Sequence, residues 1–309
     1  MNAFETPQPK RSAVARILGL MIVLALSLGT VVGMVVAKAT PALGERWMTI
    51  VGADRANFDA YGTKPYFLLA IGNDERPGIS GRRSDAMHLI GINPALHQAT
   101  VINFPRDLGV NIPGHGFGKL NSANTYGLRT SIETIAQLTG VPIQFGVQVN
   151  FDQFIALVDE MGGIDINIPK DMHDSFSGAY FKAGPNHLTG DQALRFSRNR
   201  HDFPNSDISR TFNQGTLLIA ALGTLRSQHT GPAGTIRLLG LAAKHVELDG
   251  TNIGEVYDLA RAALSVDATA VKNVTIPLGG TSRGGNLGIG GGAASLFQDF
   301  GDDAILQSH

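Results

Sequence analysis

The longest apolar stretch of the chain lies close to its first residue. Residues 17–37 form 21 consecutive positions without a charged side chain, with basic residues on both sides. A helix rises about 1.5 Å per residue, so this stretch spans roughly 30 Å, the hydrocarbon thickness of a bilayer. We predict a transmembrane signal-anchor. A cleaved signal peptide is the alternative, because Ala37-Lys38-Ala39 resembles a cleavage site, although cleavable apolar cores usually run about 7–15 residues.

The orientation of this segment is predicted from length rather than from charge. Three basic residues precede it and three follow within 18 positions, so the positive-inside rule is indecisive. Sixteen residues precede the segment and 272 follow it, and long segments translocate largely regardless of charge. We therefore expect a short cytoplasmic tail at 1–16, a single pass through the lipid bilayer of the cytoplasmic membrane at 17–37, and an extracytoplasmic remainder.

Beyond the apolar segment the pattern changes twice. Residues 38–64 contain scattered Pro, Gly and charged residues without a clear period, which predicts a stalk or linker. From Pro65 onward, short apolar runs rich in strand-forming residues are bounded by turn residues. The predicted strands are 66–72, 86–92, 99–104, 145–151, 164–170 and a last one near 273–277. Asn93-Pro94 predicts a hairpin between the second and third strands.

Helical periodicity alternates with these strands. Between two of them, the apolar residues at helical spacing are Phe151, Phe154, Ile155, Val158 and Met161. Gly162 and Gly163 then end this predicted helix. Two further helices are predicted at 207–228 and, capped by Asn252, at 253–264. Interleaved strands and helices favour an α/β fold over residues 65–278, with a layered mixed β-sheet flanked by helices.

The last predicted segment is a tail. Eight of the fourteen residues from 279 to 292 are glycine. Glycine-rich backbone loses the most conformational freedom when it is ordered, which favours flexibility over packing. We predict that residues 279–309 form a flexible, poorly packed C-terminal tail.

Composition and charge narrow the function classes. The 25 basic and 26 acidic residues give a formal charge of −1, so no bulk positive field exists for a nucleic-acid partner. Because 43% of the residues are hydrophobic and the net charge is small, intrinsic disorder is excluded for the chain as a whole. The absence of cysteine excludes disulfides, thiolate metal sites and cysteine nucleophiles.

Familiar catalytic motifs do not match. The segment GHGFGKL at 114–120 lacks the first glycine and the final Ser or Thr of a phosphate-binding P-loop, because Pro113 and Leu120 occupy those positions. The sequence contains no Gly-x-Ser-x-Gly elbow and no histidines at metal-ligand spacing. Serine hydrolase and zinc hydrolase functions are therefore disfavoured.

Arginine and aspartate instead concentrate at the ends of predicted elements. Arginine outnumbers lysine 17 to 8. The blocks are 73–76, 82–85, 105–107, 119–121 and 195–214. Arginine's planar fork binds phosphate oxygens bidentately, and carboxylates among such arginines indicate a shared hard cation such as Mg²⁺. Arg198 and Arg200 suit one face of a strand, and Arg210 and Gln214 one face of a helix. Ordinary surface ion pairing is the alternative.

The order of these blocks resembles that of the LytR–CpsA–Psr proteins over residues 66–228. The similar segments are FLLAIGND, RRSDAM, INFPRD, IPGHGFGKLNSANTYG, VNFDQFIALVDEMGGIDINIP, ALRFSRNR and DISRTFNQ. The resemblance implies a membrane-anchored, Mg²⁺-dependent phosphotransferase. It would move a glycan phosphate from a polyprenyl-pyrophosphate carrier to a hydroxyl of a cell-wall acceptor such as peptidoglycan. Two positions depart from the family pattern: Ala86 replaces a usual threonine, and Asn213 a frequent second arginine.

The resemblance also implies roles for individual residues. Asp74 and Asp85 would hold Mg²⁺. The pyrophosphate-binding residues would be Arg83, Arg106, Arg198, Arg200 and Gln214, with Lys119 and Arg210 from the same blocks. The lipid tail would contact Phe154, Ile155, Val158 and Leu218, although such an apolar helix stripe is also typical of plain core.

The expected reaction follows from general phosphoryl-transfer chemistry. An acceptor hydroxyl attacks the sugar-side phosphorus and lipid phosphate leaves, so positioning and charge stabilisation dominate catalysis. We expect Arg106, Arg198 and Arg200 to stabilise this charge, and Asp85, or alternatively Asp107, to deprotonate the acceptor. Two other functions stay open: a non-catalytic polyprenyl-pyrophosphate binder or pyrophosphatase on the same site, and a membrane-bound transcriptional attenuator. The attenuator is disfavoured because only 16 residues are predicted to be cytoplasmic.

Overall fold

The computed structural model describes residues 48–54, 58, 63–74, 83–228 and 246–307. The predicted tail at 1–16 and membrane segment at 17–37 lie outside the described residues. Within the described part of the chain, no helix is both long enough and apolar enough to span a bilayer.

The described chain forms fifteen strands and six α-helices. The strands are β1 (Met48–Gly52), β2 (Tyr66–Asn73), β3 (Ser84–Asn93), β4 (Gln98–Asn103), β5 (Gly109–Ile112), β6 (Gly116–Lys119), β7 (Phe145–Asn150), β8 (Ile164–Ile168), β9 (Met172–Asp174), β10 (Ala179–Phe181), β11 (Gly184–Leu188), β12 (Val246–Asp249), β13 (Val271–Thr275), β14 (Leu278–Thr281) and β15 (Leu287–Ile289). The helices are α1 (Leu128–Thr139), α2 (Phe151–Glu160), α3 (Gly190–Arg198), α4 (Ser206–Gln228), α5 (Ile253–Ser265) and α6 (Ala293–Asp303).

A seven-stranded sheet forms the centre of the fold. Its strand order is β12-β1-β7-β2-β3-β4-β13. The pairs β2–β3, β3–β4 and β1–β7 are antiparallel, whereas β2–β7, β1–β12 and β4–β13 are parallel. The sheet is therefore mixed, as predicted, and the remaining strands form two-stranded ribbons around it.

The side chains of β2 point alternately to the two faces of this sheet. Phe67, Leu69 and Ile71 point into a core that also contains apolar residues of α1 and α6. Tyr66 lies on the opposite face, where it packs with residues of α5. Further along that second face, a third cluster joins α2, α3 and α4. The sheet is thus covered on both faces by helices, which confirms the predicted layered architecture.

Local sequence signals explain several element boundaries. Asn150 and Gln153 form a capping box that begins α2, and Asn252 and Glu255 form the equivalent box of α5. Gly162 and Gly163 follow α2 with φ of 83° and 97°, a conformation that favours glycine. The predicted hairpin at Asn93-Pro94 is also confirmed, because β3 and β4 pair as neighbouring antiparallel strands.

The predicted stalk over 38–64 is wrong for its described part. Met48–Gly52 forms β1, which lies between β7 and β12 in the central sheet. Ile50 and Val51 are buried there. The run MTIVG is too short to display a period, so its role depends on strand partners that are distant in sequence.

The predicted loose tail at 279–309 is also wrong. Residues 278–289 contain the β14–β15 hairpin, and α6 follows it. The α6 rings of Phe297 and Phe300 lie 6.1 Å and 5.2 Å from the rings of Phe104 and Phe67, measured between centroids. The glycines permit close backbone packing instead: a Cβ on Gly288 would lie 2.5 Å from a backbone oxygen of the facing strand.

We predict that α6 contributes substantially to stability. Phe300→Ala removes a fully buried ring from the core and should lower the free energy of unfolding by about 3–5 kcal/mol. Gln298→Ala, on the exposed side of the same helix, should change it by less than about 0.5 kcal/mol. Chemical denaturation of the purified variants measures both values, and equal stability of the two would contradict the packed position of α6.

Candidate active site

A cavity of about 670 Å³ lies on the second face of the central sheet, beneath α2 and α4. Its floor is built from small side chains on adjacent strands. Ala70 and Gly72 of β2 lie there, and Gly72 pairs in register with Ala86 of β3. These small residues leave open space between the sheet and the helices. Ala86, which departs from the family pattern, is part of this floor.

One end of the cavity is strongly charged. The charged and amide side chains that line this end include Asp85, Arg106, Arg198, Arg200, Arg210 and Gln214. They come from four separate segments: the start of β3, the loop after β4, the end of α3 with its following loop, and the first turns of α4. The structure thus brings together side chains that are more than 120 positions apart in the sequence.

Asp207 holds three of these arginines together. Its Oδ1 lies 2.9 Å from Arg210 Nη2, 3.2 Å from Arg200 Nη2 and 3.8 Å from Arg106 Nε. The carboxylate lies in the first turn of α4, where the helix dipole also favours negative charge. Asp207 was not predicted as a site residue, although its spacing of three before Arg210 was visible in the sequence.

Arg106 is surrounded by carboxylates. Its Nη1 lies 2.7 Å from Asp85 Oδ1, and its Nε lies 3.6 Å from Asp107 Oδ2. Partial burial acts to lower the pKa of Arg106, but the hydrogen bond from Arg106 to Asp85 and the negative charges of Asp207, Asp85 and Asp107 outweigh it, so the pKa is raised. Arg106 therefore stays charged at this end of the cavity.

Arg210 is the most buried cation of the cluster. Its side chain is 4% exposed. The pKa of Arg210 is lowered to about 10, mainly by burial and also by the nearby charges of Arg200 and Arg106, while the charges of Asp207 and Asp85 oppose the shift. The guanidinium remains protonated at neutral pH in an environment where its charge is poorly compensated. The Nε atoms of Arg210 and Arg106, Arg210 Nη2 and both carboxylate oxygens of Asp207 are also buried without a hydrogen-bond partner among the described residues. The contacts of Asp207 with these arginines are therefore ion pairs rather than well-aligned hydrogen bonds.

Arg198 and Gln214 complete the charged end. Arg198 does not lie on a strand as predicted: it is the last residue of α3, and Arg200 follows in a loop. A capping box formed by Thr189 and Gln192 begins this helix. This helix signal outweighs the alternation of Arg198 and Arg200 that suggested a strand. Gln214 Nε2 donates to the carbonyl of Ser197 at 3.1 Å, which ties α4 to the end of α3. Arg210 and Gln214 do share one helix face, as predicted.

The other end of the cavity is apolar. Of the four predicted lipid-contacting residues, Phe154, Val158 and Leu218 line it. Ile155 does not, because its backbone faces α3: a Cβ on Gly190 would lie 2.3 Å from the Ile155 carbonyl oxygen. Further apolar lining residues are Leu157, Met161, Leu217, Ala221, Leu222 and Leu225. The cavity therefore joins a cationic end to a hydrocarbon-like end.

Several predicted site residues lie outside the described lining of this cavity. Arg83 is exposed before β3, and Asp74 is half-buried directly after β2. Lys119 Nζ pairs with Asp107 Oδ1 at 2.7 Å. Burial acts to raise the pKa of Asp107, but Lys119 and Arg106 outweigh burial and lower it. Asn213, the second departure from the family pattern, is buried in α4 and likewise absent from this lining.

Two further residues of the cavity, besides Asp207, were not predicted from the sequence. Asp174 is 1% exposed, and its Oδ2 accepts a hydrogen bond from the backbone nitrogen of Arg200 at 3.1 Å. Burial acts to raise the pKa of Asp174, but this bond and the bond from His201 outweigh it, so the pKa is lowered. The second residue, His88, is buried on the cavity floor opposite Ala70. Neither residue belongs to a recognisable motif.

His88 is held as a neutral imidazole. Its Nδ1 lies 2.7 Å from Asn103 Oδ1, an acceptor, so Nδ1 carries the hydrogen. Its Nε2 has no hydrogen-bond partner among the described residues. Burial lowers the pKa of His88 to about 4, with the bond to Asn103 opposing the shift and the charge of Arg210 adding to it.

We predict that Asp207 is needed to hold the arginines together. Asp207→Asn leaves buried positive charge uncompensated and should lower the free energy of unfolding by about 3 kcal/mol. Inorganic pyrophosphate should then raise the melting temperature more in this variant than in the wild type, because the added anion replaces the lost charge. Asp191→Asn, which breaks the exposed Asp191–Arg195 pair, is the control and should cost no more than about 0.5 kcal/mol. If D207N were as stable as D191N, Asp207 would not be needed to compensate the charge of the arginines.

We predict a pH dependence that arises from His88. Its pKa is 6.5 in the unfolded chain and about 4 in the folded protein, so the unfolded state binds more protons between these values. Stability should therefore fall as pH drops from 6.5 to 4, by about 3 kcal/mol from this residue. His88→Gln keeps a donor for Asn103 but does not titrate, so its stability should fall less over this range. Denaturation curves of wild type and H88Q at pH 6.5 and 4.5 measure the free energy of unfolding. An equal decrease of this free energy in both proteins would contradict the role of His88.

Comparisons with known proteins agree with this fold. In Bacillus mycoides, the polyisoprenyl-teichoic acid–peptidoglycan teichoic acid transferase TagU is 35% identical over 162 residues. That alignment covers 52% of this chain and 52% of TagU, so it spans about half of the relative's length. The structure of Bacillus subtilis TagV superposes with a TM-score of 0.64 at 23% identity, covering 77% of this chain and 95% of TagV.

A third similarity is to a structure of TagT, described as a LytR-CPS2A-psr family protein with bound octaprenyl pyrophosphate lipid. It has a TM-score of 0.60 at 20% identity and covers 86% of this chain and 99% of that one. The sequence profile of the LytR_cpsA_psr family matches residues 38–296, which is most of the chain. The profile match, the order of the arginine and aspartate blocks and the mixed sheet agree, and the chain belongs to the LytR_cpsA_psr family.

Proposed function

We propose that this protein is a phosphotransferase that moves a glycan phosphate from a polyprenyl-pyrophosphate carrier to a hydroxyl of a cell-wall acceptor of the peptidoglycan type. One observation carries the proposal: a single cavity joins an arginine cluster to an apolar end. A polyprenyl diphosphate has the same two parts, an anionic diphosphate and a long hydrocarbon tail. The volume of about 670 Å³ is typical of small-molecule sites.

The charge of the cluster supports a diphosphate ligand. Arg200 and Arg210 share the carboxylate of Asp207, whereas Arg106 also pairs with Asp85 and Asp107. Two cations on one carboxylate leave part of the positive charge uncompensated, which favours an additional anion. The buried, unsatisfied Nε donors of Arg106 and Arg210 require acceptors of the kind that phosphate oxygens provide. Arg198 and Gln214 extend the same surface. These five residues are the proposed diphosphate contacts, whereas Arg83 and Lys119 would act from the rim.

The names of the relatives support the same ligand and reaction. TagU is named as a transferase of teichoic acid from a polyisoprenyl carrier to peptidoglycan, and the TagT structure holds octaprenyl pyrophosphate. We infer that this chain uses a carrier of the same chemical class. The predicted anchor at 17–37 would place the cavity at the outer surface of the cytoplasmic membrane, where such a carrier presents its head group.

The end of the sheet beside the cluster suits Mg²⁺. Among the described residues, no three acidic or histidine side chains form a metal site by themselves, but Mg²⁺ commonly uses one or two carboxylates together with substrate phosphates and water. Asp74 and Asp85 would hold it. Nearby, Asn73 pairs in register with Ser84, and Asn73 Oδ1 and Ser84 Oγ are buried without hydrogen-bond partners among the described residues. When bound, the metal would neutralise charge on the diphosphate oxygens.

The reaction forms one P–O bond and breaks another. The acceptor oxygen bonds to the sugar-side phosphorus, the bond from this phosphorus to the bridging oxygen breaks, and lipid monophosphate leaves. Asp85 is the proposed base that receives the acceptor proton, because it lines the cavity whereas Asp107 does not. Arg106, Arg198 and Arg200 would stabilise the charge that develops on the leaving phosphate.

We predict that the arginines of the cavity are essential for transfer. Arg200→Ala or Arg198→Ala should reduce transfer by at least about 100-fold while folding survives, because each removes a cation from the charged end. Arg195→Ala is the matched control, because Arg195 lies in the same helix as Arg198 but pairs with exposed Asp191 and is not among the residues that line the cavity. It should stay within about threefold of wild type, since exposed pairs contribute little.

The assay uses a labelled polyprenyl-pyrophosphate glycan with and without a peptidoglycan acceptor. Label that moves to the acceptor only in the presence of enzyme supports the transferase. Retention of intact substrate would instead identify a binder, and release of free glycan phosphate a pyrophosphatase. Full transfer activity in both R198A and R200A would overturn the assignment of these residues.

A further inference from the structure

An exposed aromatic ring stands at the mouth of the cavity. Phe176 lies in the turn between β9 and β10 and is 82% exposed, an unusual position for a large apolar side chain. Its ring faces that of His201, with centroids 4.6 Å apart and planes inclined by 32°. Both residues line the cavity beside Arg200. The aromatic pair is therefore part of the site and borders its charged end.

A buried carboxylate fixes the turn that carries this ring relative to the arginines. Asp174 Oδ1 accepts hydrogen bonds from the backbone nitrogen of Phe176 at 2.9 Å and from His201 Nδ1 at 2.9 Å. Its Oδ2 accepts from the backbone nitrogen of Arg200. Hydrogen bonds to an ionised, buried acceptor are among the stronger ones in proteins. The same side chain thus holds both the aromatic turn and the arginine segment, so Phe176 keeps its place next to the proposed diphosphate position.

Two polar side chains lie beside the ring. Ser177 follows Phe176 in the turn and lines the cavity. Its backbone nitrogen donates to Asp174 Oδ1 at 3.4 Å, and its hydroxyl group also interacts with the Asp174 carboxylate. The His201 side chain is about half exposed. An aromatic face with hydroxyl and imidazole groups next to it matches a pyranose ring, which presents C–H groups on its faces and hydroxyl groups at its edge.

We propose that Phe176, Ser177 and His201 form a sugar subsite for the pyranose ring attached directly to the diphosphate of the donor. The inference rests on the proposed function, which puts a diphosphate against Arg200. The lipid tail leaves the diphosphate toward the apolar end, so the sugar on the other phosphate extends toward the mouth, where the aromatic ring lies. Asp174 is a positioning residue, because it acts through Phe176 and Arg200.

The test compares two ligands, one without and one with the sugar. Binding of farnesyl diphosphate, and of farnesyl diphosphate that carries one N-acetylglucosamine ring, is measured on the full-length protein in detergent. Phe176→Ala should weaken binding of the sugar-bearing ligand by up to about tenfold, the scale of one aromatic stacking contact, and leave farnesyl diphosphate within about twofold. Phe176→Tyr should retain the affinity. Tyr180→Ala, an exposed aromatic on β10 outside the described lining, should change neither.

The outcomes separate this subsite from the function itself. If wild type binds neither ligand, the proposed function fails. If F176A binds both ligands as wild type does, or weakens both equally, the sugar subsite is wrong while the function stands. A normal donor affinity with a raised KM for the acceptor would assign the ring to the acceptor sugar and overturn the donor assignment. Asp174→Asn should weaken both ligands, because it also releases Arg200, and selective loss of the sugar-bearing ligand in D174N would contradict the shared positioning role.

Discussion

The compensation of positive charge around Asp207 is the constraint on which the site depends. Like charges repel, so three guanidinium groups within reach of one another need a nearby anion. Asp207 provides it for Arg106, Arg200 and Arg210, and Asp85 adds a second carboxylate at Arg106. Yet the ion pairs lack hydrogen-bond geometry: Arg106 Nε, two nitrogens of Arg210 and both oxygens of Asp207 are buried without a hydrogen-bond partner among the described residues. The cluster is therefore arranged around a ligand that brings further negative oxygens, and this is the physical reason for assigning a diphosphate.

The central sheet and the helices on it determine where the charged end and the apolar end of the cavity lie. One face of β2 fills a core with large residues, whereas Ala70 and Gly72 on the other face leave the floor of the cavity open. α2 and α4 close the space with apolar side chains, and the first turns of α4 bring Asp207 and Arg210 to the charged end. The same helix thus contributes to both parts of the cavity. Asp174 extends this organisation outward, because it links the arginine segment to the turn that carries Phe176.

Much of the fold could be predicted from local signals, since strand runs, capping residues and terminating glycines act over few positions. The wrong predictions concern segments whose structure depends on partners distant in sequence. β1 pairs with β7 and β12. The glycine-rich segment 279–292 forms a hairpin, and the helix after it places Phe297 and Phe300 in the core. Convergence of the arginines was predictable from their places at element ends. Asp174 and His88 were not, because burial and a missing partner are three-dimensional properties. Ile155 was predicted to contact the lipid but does not line the cavity. Helical spacing predicts which residues form an apolar stripe, but not which part of the protein that stripe contacts.

The most direct test is a crystal structure of the full-length protein with farnesyl diphosphate and Mn²⁺ as an anomalous substitute for Mg²⁺. The account predicts diphosphate oxygens within hydrogen-bond distance of Arg106, Arg200 and Arg210, the hydrocarbon chain between α2 and α4, and the anomalous peak beside Asp85. A diphosphate bound elsewhere, with the arginine cluster unchanged and its Nε donors still unsatisfied, would contradict it.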